Sequence, residues 1–310
     1  MKVVIAGGTG FLGNPLAWAW AEESHDVRVL TRSLPPGQAQ HESGTGKPGI
    51  TRIGWSPDGH AGQLARELDG ATAVVNLAGE SIAGRRWSAA HKRRILESRV
   101  LATRSLVHAI GAAAQPPQVF VSGSAVGYYG ARGDEVVTEA NAPGTDFLAR
   151  VCVDWEAEAR AAEPLTRVAY LRTGLVLDRN EGALPQMLPP FWFGAGGPVG
   201  SGRQYWPWIH VEDWVDLVRF IIQTPAAAGA LNATAPAPAT NAAFASALGR
   251  VLGRPAFLSA PSFALKLLLG EMAEPLLLSG QRAVPARAEA LGVTFTYRRL
   301  DDALRAIFNR

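Results

Sequence analysis

Lys2-Val3-Val4-Ile5-Ala6 is a run of β-branched and small apolar residues with no polar alternation. That is the pattern of a parallel strand buried on both faces. Val27 to Leu30, Ala73 to Leu77, Gln118 to Ser122 and Arg167 to Leu171 repeat it, and Ile50 to Trp55 reads as a further short strand. Helical periodicity alternates with these runs, over Phe11 to about Glu23, Ser88 to Ala113, Asp146 to Ala162 and Val211 to Thr224. Ser88 stands where a helix N-cap is expected. Strand–helix alternation of this kind predicts an α/β fold of Rossmann type: a doubly wound, mostly parallel sheet with right-handed crossovers.

Three segments break the pattern. Residues 33 to 49 are rich in Gly, Pro, Gln and Ser and read as a mobile surface loop. Residues 184 to 210 combine five prolines with glycines, tryptophans and a tyrosine, and read as irregular. Residues 225 to 240 are rich in alanine and proline, and 241 to 310 read as several helices with one extended piece near Val293 to Tyr297. The expected organisation is a Rossmann domain over 1–225, with substrate-pocket insertions at about 175–210. A small, mainly helical C-terminal domain follows over 240–310. No internal repeat is visible.

Composition narrows the function classes. Of 310 residues, 47% are hydrophobic and 18% charged, which supplies a core and argues against disorder. The net charge of +3 is spread out, and its densest stretch, His91 to Arg94 after Arg85 and Arg86, is too narrow for a nucleic-acid footprint. Cys152 is the single cysteine, so there is no disulfide within the chain and no cysteine metal cluster. No metal site is expected, and a reducing cytoplasm suits this usage. The strand pattern starts at Lys2, with no signal peptide ahead of it. Phe263 to Leu278 is too short and too charged to span a bilayer, so no membrane role is expected.

The chemistry starts at Gly7-Gly8-Thr9-Gly10-Phe11-Leu12-Gly13. A GxxGxxG turn between a buried strand and a helix brings backbone N–H groups and a helix N-terminus to a phosphate without Cβ obstruction. A pyrophosphate, and so a dinucleotide, is the expected ligand. The second strand ends in Thr31-Arg32, with no carboxylate for a ribose 2′-hydroxyl. An arginine there suits a 2′-phosphate, which favours NADP(H) over NAD(H). The competing reading leaves Arg32 in solvent.

The residues here resemble the extended short-chain dehydrogenase/reductases. The likeness is carried by the glycine loop, Asn76-Leu77-Ala78-Gly79, Ser122-Gly123-Ser124-Ala125-Val126-Gly127-Tyr128-Tyr129-Gly130 and Trp208-Ile209-His210-Val211-Glu212-Asp213. More narrowly the chain is similar to the atypical branch called epimerase family proteins, which add a small C-terminal domain of unknown function. Val284 to Arg287, Leu291 to Tyr297 and Leu300 to Leu304 resemble that domain. The resemblance implies that Leu77, Ala78 and Gly79 pass along the cofactor. It implies that Glu80 and Arg85 lie near the ribose or phosphates, with surface charge the alternative for Arg85. Ser122 and Arg172 are expected at the same cleft.

The resemblance also implies a Ser–Tyr–Lys centre, with tyrosine as acid or base and lysine four residues later on one helix face. Ser124 fits the serine, with Ser122 competing. The tyrosine–lysine pair is missing: Phe147 stands in the tyrosine place, Val151 or Cys152 in the lysine place, and no lysine occurs between Lys92 and Lys266. Tyr128 or Tyr129 could supply the acid, or Glu80, His210 or Asp213 could replace it. His210 reads first as a structural histidine and Cys152 as a core residue. Arg203 to Trp208 offers aromatic faces for a planar or sugar-like ligand, or packing beneath the C-terminal domain.

The expected function is an NADP(H)-dependent oxidoreductase or epimerase-like enzyme acting on an unknown small molecule. A non-catalytic NADP(H)-binding sensor or interaction protein is the alternative, and a full nucleotide-sugar epimerase or dehydratase ranks below both. A homodimer stands as one option for its assembly.

Overall fold

The computed structural model describes residues 1–42 and 49–309. Eight strands form the central sheet. In chain order the first six are β1 (Lys2–Ala6), β2 (Asp26–Thr31), β3 (Ala39–Glu42), β4 (Ile50–Gly54), β5 (Ala73–Asn76) and β6 (Val119–Ala125). Arg167–Thr173 and Gly229–Ala233 complete it. Across the sheet the order is Gly229–Ala233, Arg167–Thr173, β6, β5, β1, β2, β4, β3. All neighbours are parallel except β3, which runs antiparallel along β4. The strand order reverses between β1 and β5, the switch point where open α/β sheets bind ligands.

Alternation within β1 explains why helices cover both faces. Val3 and Ile5 point into one core with Leu16, Ala17 and Trp20 of α1 (Gly13–Glu22) and Trp214, Leu217, Val218 and Ile221 of the helix Val211–Gln223. Val4 and Ala6 point the other way, onto Leu64 and Leu68 of α2 (Leu64–Leu68) and Ala102, Leu106 and Ile110 of α3 (Ala89–Ala112). Ser88 caps α3 by accepting the His91 N–H at 3.2 Å. α4 (Phe147–Arg160) lies beside α3 and is capped by Asp146.

A third core joins the C-terminal region to the sheet domain. It gathers Leu184, Leu188 and Phe191, Trp206 and Trp208, Phe244 and Leu248, and Leu300 and Leu304. Arg282–Ala283 also pairs with Val136–Val137.

Four sequence expectations need correction. The expected loop at 33–49 contains the edge strand β3, held by backbone pairing to β4 rather than by an apolar pattern; residues 43–48 of that loop lie outside the described residues. The segment at 184–210 is not irregular. Leu184–Trp192 is a helix despite its prolines, because Leu184, Leu188 and Phe191 lie on one buried face and Pro185 sits in the first turn, where no N–H is needed. Trp208–His210 pairs with Leu175–Leu177. The alanine-rich segment 225–240 supplies the last sheet strand, Gly229–Ala233, so the sheet extends past residue 225; small side chains hid its strand character. Val293 to Tyr297 forms no ladder, and the N–H groups of Thr296 and Tyr297 donate to Asp213 instead.

Candidate functional site

The glycine loop leaves β1 at Gly7, whose φ of +79° suits only glycine. A Cβ there would come 2.7 Å from the Leu77 carbonyl carbon, so the β1 and β5 ends meet backbone to backbone. A Cβ on Gly13 would fall on Gly7 O and Gly8 Cα. Gly10 N–H donates to Gly7 O at 3.0 Å, while Thr9 and Gly10 stay exposed at the crest of the turn. Phe11 and Leu12 are half-buried, and Phe11 packs on Gly182, which has no room for a side chain. No side chain caps α1 and no acid stands in its first turn. The N–H groups and positive end of that helix are therefore left for an anionic ligand, and the cradle fits a pyrophosphate.

At the end of β2, Thr31 is buried and its Oγ accepts the Ser33 N–H at 3.1 Å. Arg32 is exposed and pairs with no carboxylate among the described residues. It stands where the dinucleotide's adenosine ribose is read in this fold.

The end of β5 is tied down from several sides. Asn76 Nδ2 donates to Thr103 Oγ1 at 2.8 Å, and Asn76 Oδ1 accepts the Ala78 N–H. Leu77 N–H donates to Ala6 O. Beyond Gly79, the Glu80 N–H donates to Ser98 Oγ at 2.9 Å and its carbonyl accepts from Arg99 Nη1 at 3.0 Å. The Glu80 carboxylate lies 3.8 Å from Arg94, 3.9 Å from His91 and 4.0 Å from Arg85. Glu80 and Arg85 thus share one charged cluster at this edge of the cleft.

The end of β6 carries a buried polar network. Ser124 Oγ donates to Glu156 Oε1 at 2.7 Å. Arg172 Nε and Nη2 bind the two Glu156 oxygens at 2.8 and 2.9 Å. Arg172 Nη1 donates to the Tyr129 hydroxyl at 3.0 Å, and Tyr129 donates on to Asn232 Oδ1 at 2.6 Å. The Asn232 N–H donates to Glu139 Oε1, and its Nδ2 donates to Val284 O. Burial pushes the Tyr129 phenol up to about 12, so it stays protonated at neutral pH. Tyr128 is half-buried, with the Arg172 guanidinium 3.5 Å from its ring centre. Ser122 is wholly buried, and its hydroxyl makes a long contact to Gly123 O.

On α4, Phe147 packs edge-on against Trp87, with Lys92 Nζ 5.3 Å from its ring centre. Val151 and Cys152 are buried, and burial pushes the Cys152 thiol up to about 11, the behaviour of a core residue. His210 caps its helix by accepting the Glu212 N–H and lies 4.0 Å from the Tyr297 ring. Asp213 accepts from Thr296 and Tyr297. Trp206 and Trp208 are buried in the third core, the packing side of the two readings.

Glu156, Asn232, Ser98 and Arg99 were missing from the sequence reading. The signal for Glu156 was present: an acid on the apolar face of α4 formed by Ala149, Cys152, Trp155 and Ala159. Asn232 was hidden with its strand.

The switch-point cleft and glycine cradle are those of a Rossmann-type protein built as an extended short-chain dehydrogenase/reductase. Residues 3–233 match the NAD dependent epimerase/dehydratase family, and the chain belongs to it; residues 260–307 match a domain of unknown function, DUF1731. The chain is 39% identical to epimerase family protein SDR39U1 of Bos taurus, covering 99% of both. It is 42% identical to the chloroplastic SDR39U1 homolog of Arabidopsis thaliana, covering 99% of this chain and 86% of the relative. The crystal structure of human epimerase family protein SDR39U1 (isoform 2) with NADPH superposes with a TM-score of 0.88 at 36% identity, over the whole of both chains. No helix among the described residues is long and apolar enough to cross a membrane.

Proposed function

We propose that this protein binds NADP(H) and acts as an oxidoreductase or epimerase-like enzyme on a small molecule. The observation that carries the reading is the glycine cradle beside a β2 end that bears Arg32 and no carboxylate. Gly7, Thr9, Gly10 and Gly13 would hold the pyrophosphate, Arg32 the 2′-phosphate, and Leu77 to Gly79 the cofactor's inner face. The human relative crystallised with NADPH supports the same choice. The nicotinamide supplies hydride transfer when bound. Glu80 and Arg85 present a charged rim to the cleft, and Tyr128 offers an aromatic face beside Arg172.

A specific observation favours a second reading, a non-catalytic NADP(H)-binding sensor. The Ser124 and Tyr129 hydroxyl protons are both donated within a closed, buried network. Full nucleotide-sugar epimerase or dehydratase chemistry ranks below both, since α4 has no tyrosine–lysine pair. The single buried cysteine suits a cytoplasmic setting.

The test is a panel of carbonyl compounds and nucleotide sugars followed by NADPH absorbance. Turnover on any member supports the enzyme reading. Silence across the panel with tight NADPH binding turns the balance to the sensor.

A further inference from the structure

The floor of the cleft beside Gly79 holds a cation. Arg99 reaches there from α3. Its Nη1 donates to the carbonyls of Glu80 at 3.0 Å and Ile95 at 2.9 Å. Its Nε and Nη2 have no protein acceptor, and the guanidinium forms no ion pair, among the described residues. The residue is half-buried, and those nitrogens are not sealed from solvent. Its charge lies 5.2 Å from the centre of the Trp155 ring. A Cβ on Gly79 would stand 3.0 Å from Arg99 Cζ, so any larger residue at 79 would crowd the guanidinium.

An arginine keeps its proton even where burial lowers its pKa, as it does here. Its two remaining donors are open to water or to an incoming acceptor. The position says which acceptor. Gly7 abuts Leu77, and Gly79 lies two residues further on, at most about 7.6 Å along the Cα trace. With the adenosine half over β2 and the pyrophosphate at α1, the other half of a dinucleotide extends past β5 toward β6. Arg99 lies beneath that path. On the other wall, α4 brings the buried Val151 and Cys152, while its arginines are engaged elsewhere: exposed Arg150 donates to Thr145 O and Arg160 stands over the Tyr170 ring.

We propose that Arg99 binds the nicotinamide-side ribose of the dinucleotide through Nε and Nη2. The inference rests on the cofactor reading above. Vicinal ribose hydroxyls offer neighbouring acceptors, which the planar guanidinium fork matches.

Calorimetry with two probes tests it: NADPH, and adenosine 2′,5′-bisphosphate, which lacks the nicotinamide riboside. The proteins are wild type, Arg99→Met, Arg99→Lys and Ser98→Ala. Arg99→Met is expected to weaken NADPH about tenfold and leave the bisphosphate unchanged, with Arg99→Lys in between. Ser98→Ala removes the other anchor of the Glu80 peptide and reads the effect of that backbone alone, expected to be smaller than that of Arg99→Met and equal for both probes. Equal loss of both probes in the Arg99 variants, or no loss, overturns the proposal. So does a selective NADPH loss in Ser98→Ala, which would trace the effect to the Glu80 backbone. If wild type binds both probes, the cofactor reading stands whatever the Arg99 variants do; if it binds neither, both proposals fall.

Discussion

Arg172 and Glu156 form a two-bond ion pair at 2.8 and 2.9 Å, with both side chains almost wholly withdrawn from water. Ser124 and Tyr129 hang on opposite ends of this pair. The pair therefore fixes both hydroxyls.

Removing one partner leaves a buried charge alone. Arg172→Met is expected to cost about 3–5 kcal/mol of stability. The double variant Arg172→Met/Glu156→Met should cost clearly less than the two single changes together. Urea unfolding of the four proteins checks this; simple additivity would contradict the coupling.

Tyr129 and Tyr128 should respond differently to loss of the hydroxyl. Tyr129→Phe leaves the buried Asn232 Oδ1 without a donor, at an expected cost of about 1–3 kcal/mol. Tyr128→Phe keeps the ring beneath Arg172 and should stay within about 1 kcal/mol of wild type. In a spectrophotometric titration the Tyr129 phenol should ionise only near pH 12.

The two glycines at the helix entry separate folding from binding. A Cβ on Gly13 would overlap backbone, so Gly13→Ala should destabilise the fold by about 1–3 kcal/mol. A Cβ on Gly10 would meet only Gly7 O at 3.4 Å. Gly10→Ala should therefore leave thermal stability close to wild type while weakening NADPH roughly tenfold, because the new methyl stands in the path of the pyrophosphate. Thermal melts and calorimetry on both variants distinguish the two effects.

His210 predicts the sign of one pH effect. Burial lowers its pKa, outweighing Glu212, Asp213 and Asp178, which pull it upward. The unfolded chain then binds the proton more readily than the fold. The contribution is fully present above the ordinary histidine pKa of about 6.5 and is lost as the pH falls through the lowered value. His210→Asn keeps a capping side chain at that position and removes the titration, so its unfolding midpoint should depend less on pH below about 6.5. An unchanged pH slope would contradict this.

Much of the fold was legible because buried parallel strands write themselves as unbroken apolar runs, as β1 and β5 do. The glycine loop was legible for a related reason: backbone crowding at Gly7 and Gly13 excludes other residues. Gly229–Ala233 was not, since alanine and asparagine carry little strand preference and its place depends on pairing with Arg167–Thr173. Leu184–Trp192 was masked by prolines whose cost its apolar face offsets. The site divided the same way. The exposed place of Arg32 after β2 could be read from the chain, whereas the contacts of Glu156 with Arg172, Asn232 with Tyr129 and Arg99 with Glu80 join residues 16 or more positions apart.

The central claim is NADP(H) selectivity through Arg32. Calorimetry with NADPH and NADH on wild type and Arg32→Ala tests it most directly. The account predicts tighter binding of NADPH by wild type, and a loss of about tenfold or more for NADPH alone in Arg32→Ala. Equal losses for both cofactors, or no preference in the wild type, would contradict it.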